Sequence, residues 1–139
     1  MLSEELKETI RQAYAAIMER NSLVPRWGQR QMIAEIANTL ARIPAPGEAP
    51  TLPAVCVIEA GTGTGKTIAY AVSAIPMAQA LGKRLVVATA TIALQEQFVN
   101  KDLPDIRRHS GLAFSYTLAK GRRRYVCLTK LDRHLAGGQ

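Results

Sequence analysis

A chain of 139 residues and 15.1 kDa is the size of one small domain, and 47% apolar with 21% charged residues indicates a packed core rather than a disordered polymer. The net charge of +7 and a pI near 9.9 favour an anionic partner, although a basic balance alone does not specify nucleic acid. Cys56 and Cys127 are the only cysteines, too few for a disulfide framework or for a full set of metal ligands from this chain alone. No stretch approaches the roughly 20 apolar residues that span a bilayer, and Glu4, Glu5 and Glu8 give the N-terminus the wrong charge for a signal peptide. A soluble protein of the reducing cytoplasm is expected.

Leu6, Ile10, Tyr14, Ile17 and Met18 recur at three- and four-residue steps and predict a helix, with Ser3 as its N-cap. After the "LVPRWGQ" turn a second stripe, Met32, Ile33, Ile36, Ala37 and Leu40, predicts another. "PAPGEAPTLP" has four prolines in ten residues and reads as a linker or surface loop. From Ala54, "AVCVIE" is a short apolar, β-branched run, the pattern of a strand covered on both faces, with Cys56 in its core. A helix from about Lys66 to Leu81 follows, stopped by Gly82 and bent at Pro76, which should free the Val72 carbonyl. "RLVVATA" is the next expected strand, "TIALQEQFVNKDL" a helix ended by Pro104, and "GLAFSYTLA" a third strand. Strand, helix, strand, helix, strand predicts a right-handed parallel α/β sheet preceded by two helices.

Between the first expected strand and its helix lies "EAGTGTGKT", with three glycines among residues 61–65. In Ala60-Gly61-Thr62-Gly63-Thr64-Gly65-Lys66-Thr67 bare backbone N–H groups can turn in around a phosphate, at the positive end of the following helix. Lys66 would contact the β- and γ-phosphates, and the Thr67 hydroxyl would ligand Mg²⁺. This is a P-loop, or Walker A, pattern for ATP, with Ala60 in place of the first glycine. A plain strand–helix connection is the bland alternative, weakened by the motif's position between an expected strand and an expected helix.

Together "PRWGQRQM", "EAGTGTGKT" and "VVATATIALQEQ" resemble the N-terminal part of a DinG-type DNA helicase, a superfamily 2 enzyme related to the XPD iron–sulfur group, from about Val24 to Leu131. The resemblance implies an incomplete RecA-like P-loop NTPase domain with ATP and Mg²⁺ as cofactors. Gln29 would read the adenine edge with Arg26 in support; otherwise Gln29 is a solvated polar position of the second helix. Thr89, Thr91 and Gln95 correspond to a motif that touches the backbone of single-stranded DNA, or else Thr89 and Thr91 only end a strand and cap a helix. "AKGRRRYVCLTKLDRH" carries six Lys or Arg from Lys120 to Arg133 against one acidic residue. By composition Arg122, Arg123, Arg124 and Tyr125 are a single-strand DNA surface or, equally, a solvated basic face. By resemblance they border Cys127, which corresponds to the first of four cysteines holding a [4Fe–4S] cluster in the family; Cys127 alone reads as a small apolar residue.

The implied layout is helices and linker over 1–53, the first part of the motor domain over 54–118, and a basic segment opening the iron–sulfur domain over 119–139. The family's Asp-Glu-x-His element, its three further cysteines and its second motor domain do not occur in these residues. Arginine fingers alone contribute about 10³ to 10⁵ in rate, so the expectation is the N-terminal part of a 5′ to 3′ ATP-dependent helicase, inactive by itself. Two other classes fit the residues less fully: a nucleotide- or DNA-binding module without turnover, and a P-loop ATPase or kinase unrelated to DNA.

Overall fold

The computed structural model describes residues 2–44, 47–49 and 53–137. Helix α1 runs over Glu4–Arg20, α2 over Trp27–Leu40, α3 over Lys66–Ala80, α4 over Ile92–Gln97, α5 over Leu103–His109 and α6 over Leu128–Ala136. A π-helical turn, Phe98–Asp102, joins α4 to α5, and Arg122–Arg124 form a 3₁₀ turn. Half of the expected proline linker, 45–46 and 50–52, lies outside the described residues.

The two N-terminal helices form as their apolar spacing predicts. Ser3 Oγ accepts the Leu6 N–H at 3.2 Å as the N-cap of α1, whose buried side is Ile10, Ala13, Tyr14, Ile17 and Met18. Helix α3 is the centre of the molecule, packing against α1, α2 and α5. It is buried around most of its circumference, from Ala69 through Val72 and Ser73 to Met77, as befits a helix with neighbours on several sides. Its fully buried serine, Ser73, donates from Oγ to the carbonyls of Ala69 and Tyr70 at 2.8 and 3.2 Å, so this burial leaves no donor unpaired. The helix runs through Pro76 without a break. At its end Gly82, at φ +61°, donates to Gln79 while Lys83 donates to Ala78, a two-bond C-terminal cap.

The expected α/β fold is not what the chain adopts. No strand or sheet forms among the described residues, and the incomplete RecA-like parallel sheet predicted from "AVCVIE", "RLVVATA" and "GLAFSYTLA" is absent. Those segments run as chain without backbone ladders, and the β-branched residues of the first two stay largely in solvent, Val57 91% exposed and Val86 85%, while Leu112 of the third still reaches the core. The physical reason is that an apolar, β-branched run reports what a segment could bury, whereas a parallel strand exists only where a distant partner supplies hydrogen bonds. Here the core is closed by helices instead. Cys56, expected inside that core, is exposed for the same reason.

Pro104 does not end its helix either. The π-helical turn, where the Leu103 N–H reaches the Phe98 carbonyl, resets the register so that Pro104 falls in the first turn of α5. Its missing N–H is tolerated there.

Candidate functional site

The loop Ala60–Gly65 takes a backbone path that only two of its glycines make possible. Gly63 and Gly65 sit at φ +74° and +77°, left-handed values that cost a residue with a Cβ about 1–2 kcal/mol. Gly65 is the N-cap residue of α3, so Lys66 and Thr67 open that helix. The Lys66 side chain turns back over the loop, and Nζ donates to the carbonyls of Ala60 and Gly61 at 2.7 and 2.8 Å. Thr64 Oγ1 also donates to Gly61, at 2.9 Å.

Helix α2 braces this loop from outside. Arg26 Nη1 donates to the Gly63 carbonyl at 2.7 Å. Gln29, 6% exposed, lies against Gly65: a Cβ added there would stand 1.9 Å from Gln29 Nε2. The other end of that amide, Oε1, accepts from Tyr14 Oη at 2.8 Å. So Gln29 is a buried group at the loop rather than a solvated position on α2. An open groove of about 540 Å³ lies beside it, walled by Arg26, Gln29, Glu35, Cys56, Ala60 and Thr64 among others.

A second groove of about 500 Å³ joins the glycine-rich loop to the threonine-rich segment before α4. Lys66, Thr67 and Tyr70 line one part of it, and Thr89, Leu94 and Asp102 another. The Tyr70 ring meets Phe98 of the π turn at a centroid distance of 5.8 Å, which ties α3 to the α4–α5 stretch. Burial pushes the Tyr70 phenol up, opposed by the Thr67 side chain that hydrogen-bonds it, with the nearby Asp102 charge adding to the rise. Burial likewise raises the Asp102 carboxyl, against the pull of Lys101 and a hydrogen bond to Gln97; Asp105 pushes it further up. Neither Tyr70 nor Asp102 stands in a recognisable motif, and only their place at this groove singles them out.

Thr91 is the N-cap of α4, its Oγ1 accepting the Leu94 N–H at 3.2 Å, and Thr89 Oγ1 donates to the Thr91 carbonyl at 3.2 Å. Gln95 reaches across to the basic segment: Oε1 accepts from Arg124 Nη1 at 2.7 Å and Nε2 donates to the Ala119 carbonyl at 3.3 Å. Arg124 also lies 3.7 Å from Glu96. Arg122 and Arg123 remain exposed, and Tyr125 accepts the Lys120 N–H at 2.8 Å. The structure thereby brings Gln95 and the arginine run onto one surface.

Thr67 lies in the first turn of α3 at the wall of the second groove, and a Mg²⁺ that takes most of its ligands from phosphate and water would need few protein donors there. The chain's own two cysteines are too few to complete a [4Fe–4S] cluster. Cys127 is an exposed thiol at the start of α6, and no group of three or more His, Cys, Asp or Glu that could hold a metal occurs among the described residues. A [4Fe–4S] centre needs four thiolates, and this surface offers one.

No family model matches the chain. Among curated proteins, the ATP-dependent DNA helicase DinG of Photobacterium profundum is 44% identical over 133 residues, 95% of this chain and 18% of that protein. The protein of the same name from Escherichia coli (strain K12) is 43% identical over 127 residues, 91% of this chain and 16% of its own length. The Salmonella typhimurium protein matches to the same extent. The chain thus spans less than a fifth of the length of these relatives. At 43–44% identity along nearly all of its residues, the chain is similar to one part of proteins named ATP-dependent DNA helicase DinG.

Proposed function

We propose that this chain is the ATP-binding part of a DNA helicase of the cytoplasm, which moves 5′ to 3′ on single-stranded DNA when its remaining parts are present. The observation that carries this reading is the second groove, where Lys66 and Thr67 of the glycine-rich loop share walls with Thr89 and the α4 region. A triphosphate entering Ala60–Thr67 draws Lys66 Nζ from two neutral carbonyls to charged phosphate oxygens. The ammonium's bonds to carbonyls are already charge-assisted, and the exchange adds the attraction between opposite charges, which favours it. Backbone N–H groups of the loop and the first turn of α3 supply the remaining donors. Thr67 would hold Mg²⁺, which would supply positive charge to neutralise the phosphates. The base lies in the first groove, where Arg26 and Gln29 form the wall.

On the DNA side, Thr89, Thr91 and Gln95, with exposed Arg122 and Arg123, grip the sugar-phosphate backbone, and Tyr125, 56% exposed, offers a ring for a base to stack on. Arg124 joins this grip by leaving Glu96 for a phosphate. The contacts position the strand without reading sequence.

The nucleotide assignment is tested by Lys66→Ala. Binding of a fluorescent ATP analogue with Mg²⁺ is expected to vanish, while the circular dichroism of the variant stays that of the parent; undiminished binding overturns the assignment. Neutralising Arg122 and Arg123 together should reduce the slope of log K against log salt by about 0.7 for each single-strand phosphate that is no longer neutralised. An unchanged slope removes the basic segment from the DNA site.

A further inference from the structure

We propose that Tyr14, on α1 and outside both grooves, is a positioning residue for the phosphate loop that acts through Gln29. The inference rests on the reading of Ala60–Thr67 as a nucleotide site and adds a control element to it. The two left-handed positions of the loop, Gly63 and Gly65, are its hinges, and each has one brace from the α2 end of the chain. Arg26 holds Gly63 by its carbonyl at 2.7 Å. Gln29 covers Gly65 so closely that the space of a single Cβ is already taken by Nε2.

The Gln29 brace needs its own support, because a primary amide can rotate about its last bond and swap its two ends. Tyr14 Oη supplies that support, donating to Oε1 at 2.8 Å between side chains that are 7% and 6% exposed. With Oε1 turned to the phenol, Nε2 is turned to the loop. Tyr14 stands in a stripe with Ile10, Ala13 and Ile17, where a phenylalanine would fill the core equally well. The hydroxyl is therefore the informative atom. It carries no packing duty, and its partner is the residue that touches the hinge.

Tyr14→Phe removes that atom and keeps the ring. The first measurement is hydrogen–deuterium exchange on the nucleotide-free 139-residue chain, with amides 63–67 expected to exchange faster in the variant while exchange in α1 stays unchanged and the melting temperature falls by only the few degrees that one lost buried hydrogen bond costs. The second is titration with a fluorescent ATP analogue and Mg²⁺. Tyr14→Phe should bind about fivefold more weakly, the size of one lost buried hydrogen bond, and Tyr14→Phe with Gln29→Ala should bind no more weakly than Gln29→Ala alone. Unchanged exchange at 63–67 overturns the proposal, as does faster exchange spread evenly over α1 and α3, which would mark a packing role, or losses that multiply in the double variant. If the parent chain fails to bind the analogue, the nucleotide reading falls, and the exchange measurement still decides whether Tyr14 sets the loop.

Discussion

Gly63 and Gly65 share a backbone conformation and differ in what surrounds them, so alanine should separate the two effects. At Gly63 nothing lies within 4 Å of an added Cβ, and only the left-handed φ matters. Gly63→Ala should lower stability by about 1–2 kcal/mol in urea unfolding. Gly65→Ala carries the same backbone cost and in addition drives a methyl into Gln29, so its loss should be clearly larger and should extend to ATP-analogue affinity. Equal losses at the two positions would show that Gln29 yields to the methyl without cost. Asp102 makes a prediction of another kind. Its carboxyl is raised in the folded state, chiefly by burial, so the folded chain holds that proton more strongly than the unfolded one. Its contribution to stability is then greatest below the ordinary carboxylate range and is lost as pH rises through the raised value. Asp102→Asn should flatten the stability profile just above the ordinary carboxylate range and leave the variant slightly the more stable at neutral pH, read by thermal melts from acid to neutral pH.

Among the helices, the ends differ more than the middles. Helices α1 and α3 close with the same pair of bonds, Leu23 to Met18 and Ser22 to Glu19 in one, Lys83 to Ala78 and Gly82 to Gln79 in the other. Where α3 has Gly82 at the left-handed position, α1 has Ser22 at φ +50°, an exposed residue with a Cβ to accommodate. Ser22→Gly should stabilise the chain by about 1 kcal/mol, seen as a rise of a few degrees in Tm. A fall in Tm would show that the glycine's gain in unfolded-state entropy outweighs the relieved strain. The π-helical turn is the other end effect that matters. It seats Phe98 against Tyr70 and admits Pro104 to the start of α5, so the stretch Ile92–His109 stays helical past a residue that would otherwise stop it.

For the entire chain the decisive fact is that the helices close the core and the β-branched runs stay outside it. Val57 and Val86 therefore hold little of the fold together. Replacing both with Thr should shift the melting temperature by less than about 2 °C and reduce binding of an apolar dye, because each removes an exposed methyl. Had these residues been inside a parallel sheet, each hydroxyl would have needed a partner and the pair would have cost several kcal/mol. Helix α6 adds to this exposed apolar surface, with Leu128, Leu131 and Leu135 in solvent on its length.

The letters alone were enough for whatever depends on neighbours a few residues away. The helices α1 and α2, the Ser3 cap, the Gly82 stop and the glycine pattern before Lys66 are all local, set by spacing, by a hydroxyl three residues from an N–H, or by the lack of a Cβ. The resemblance to DinG helicases was legible for the same reason, since it resides in short contiguous motifs. The tertiary structure decided what depends on distant partners. It denied the three apolar runs the hydrogen-bonded neighbours a sheet requires, exposed Cys56, buried Gln29 against Gly65, and set Gln95 against Arg124. It also found Tyr14, which in one dimension is only another member of an apolar stripe. Pairing across tens of residues is a property of closure, in which entropy is lost before any contact is gained, and periodicity in a sequence carries no record of which closure wins.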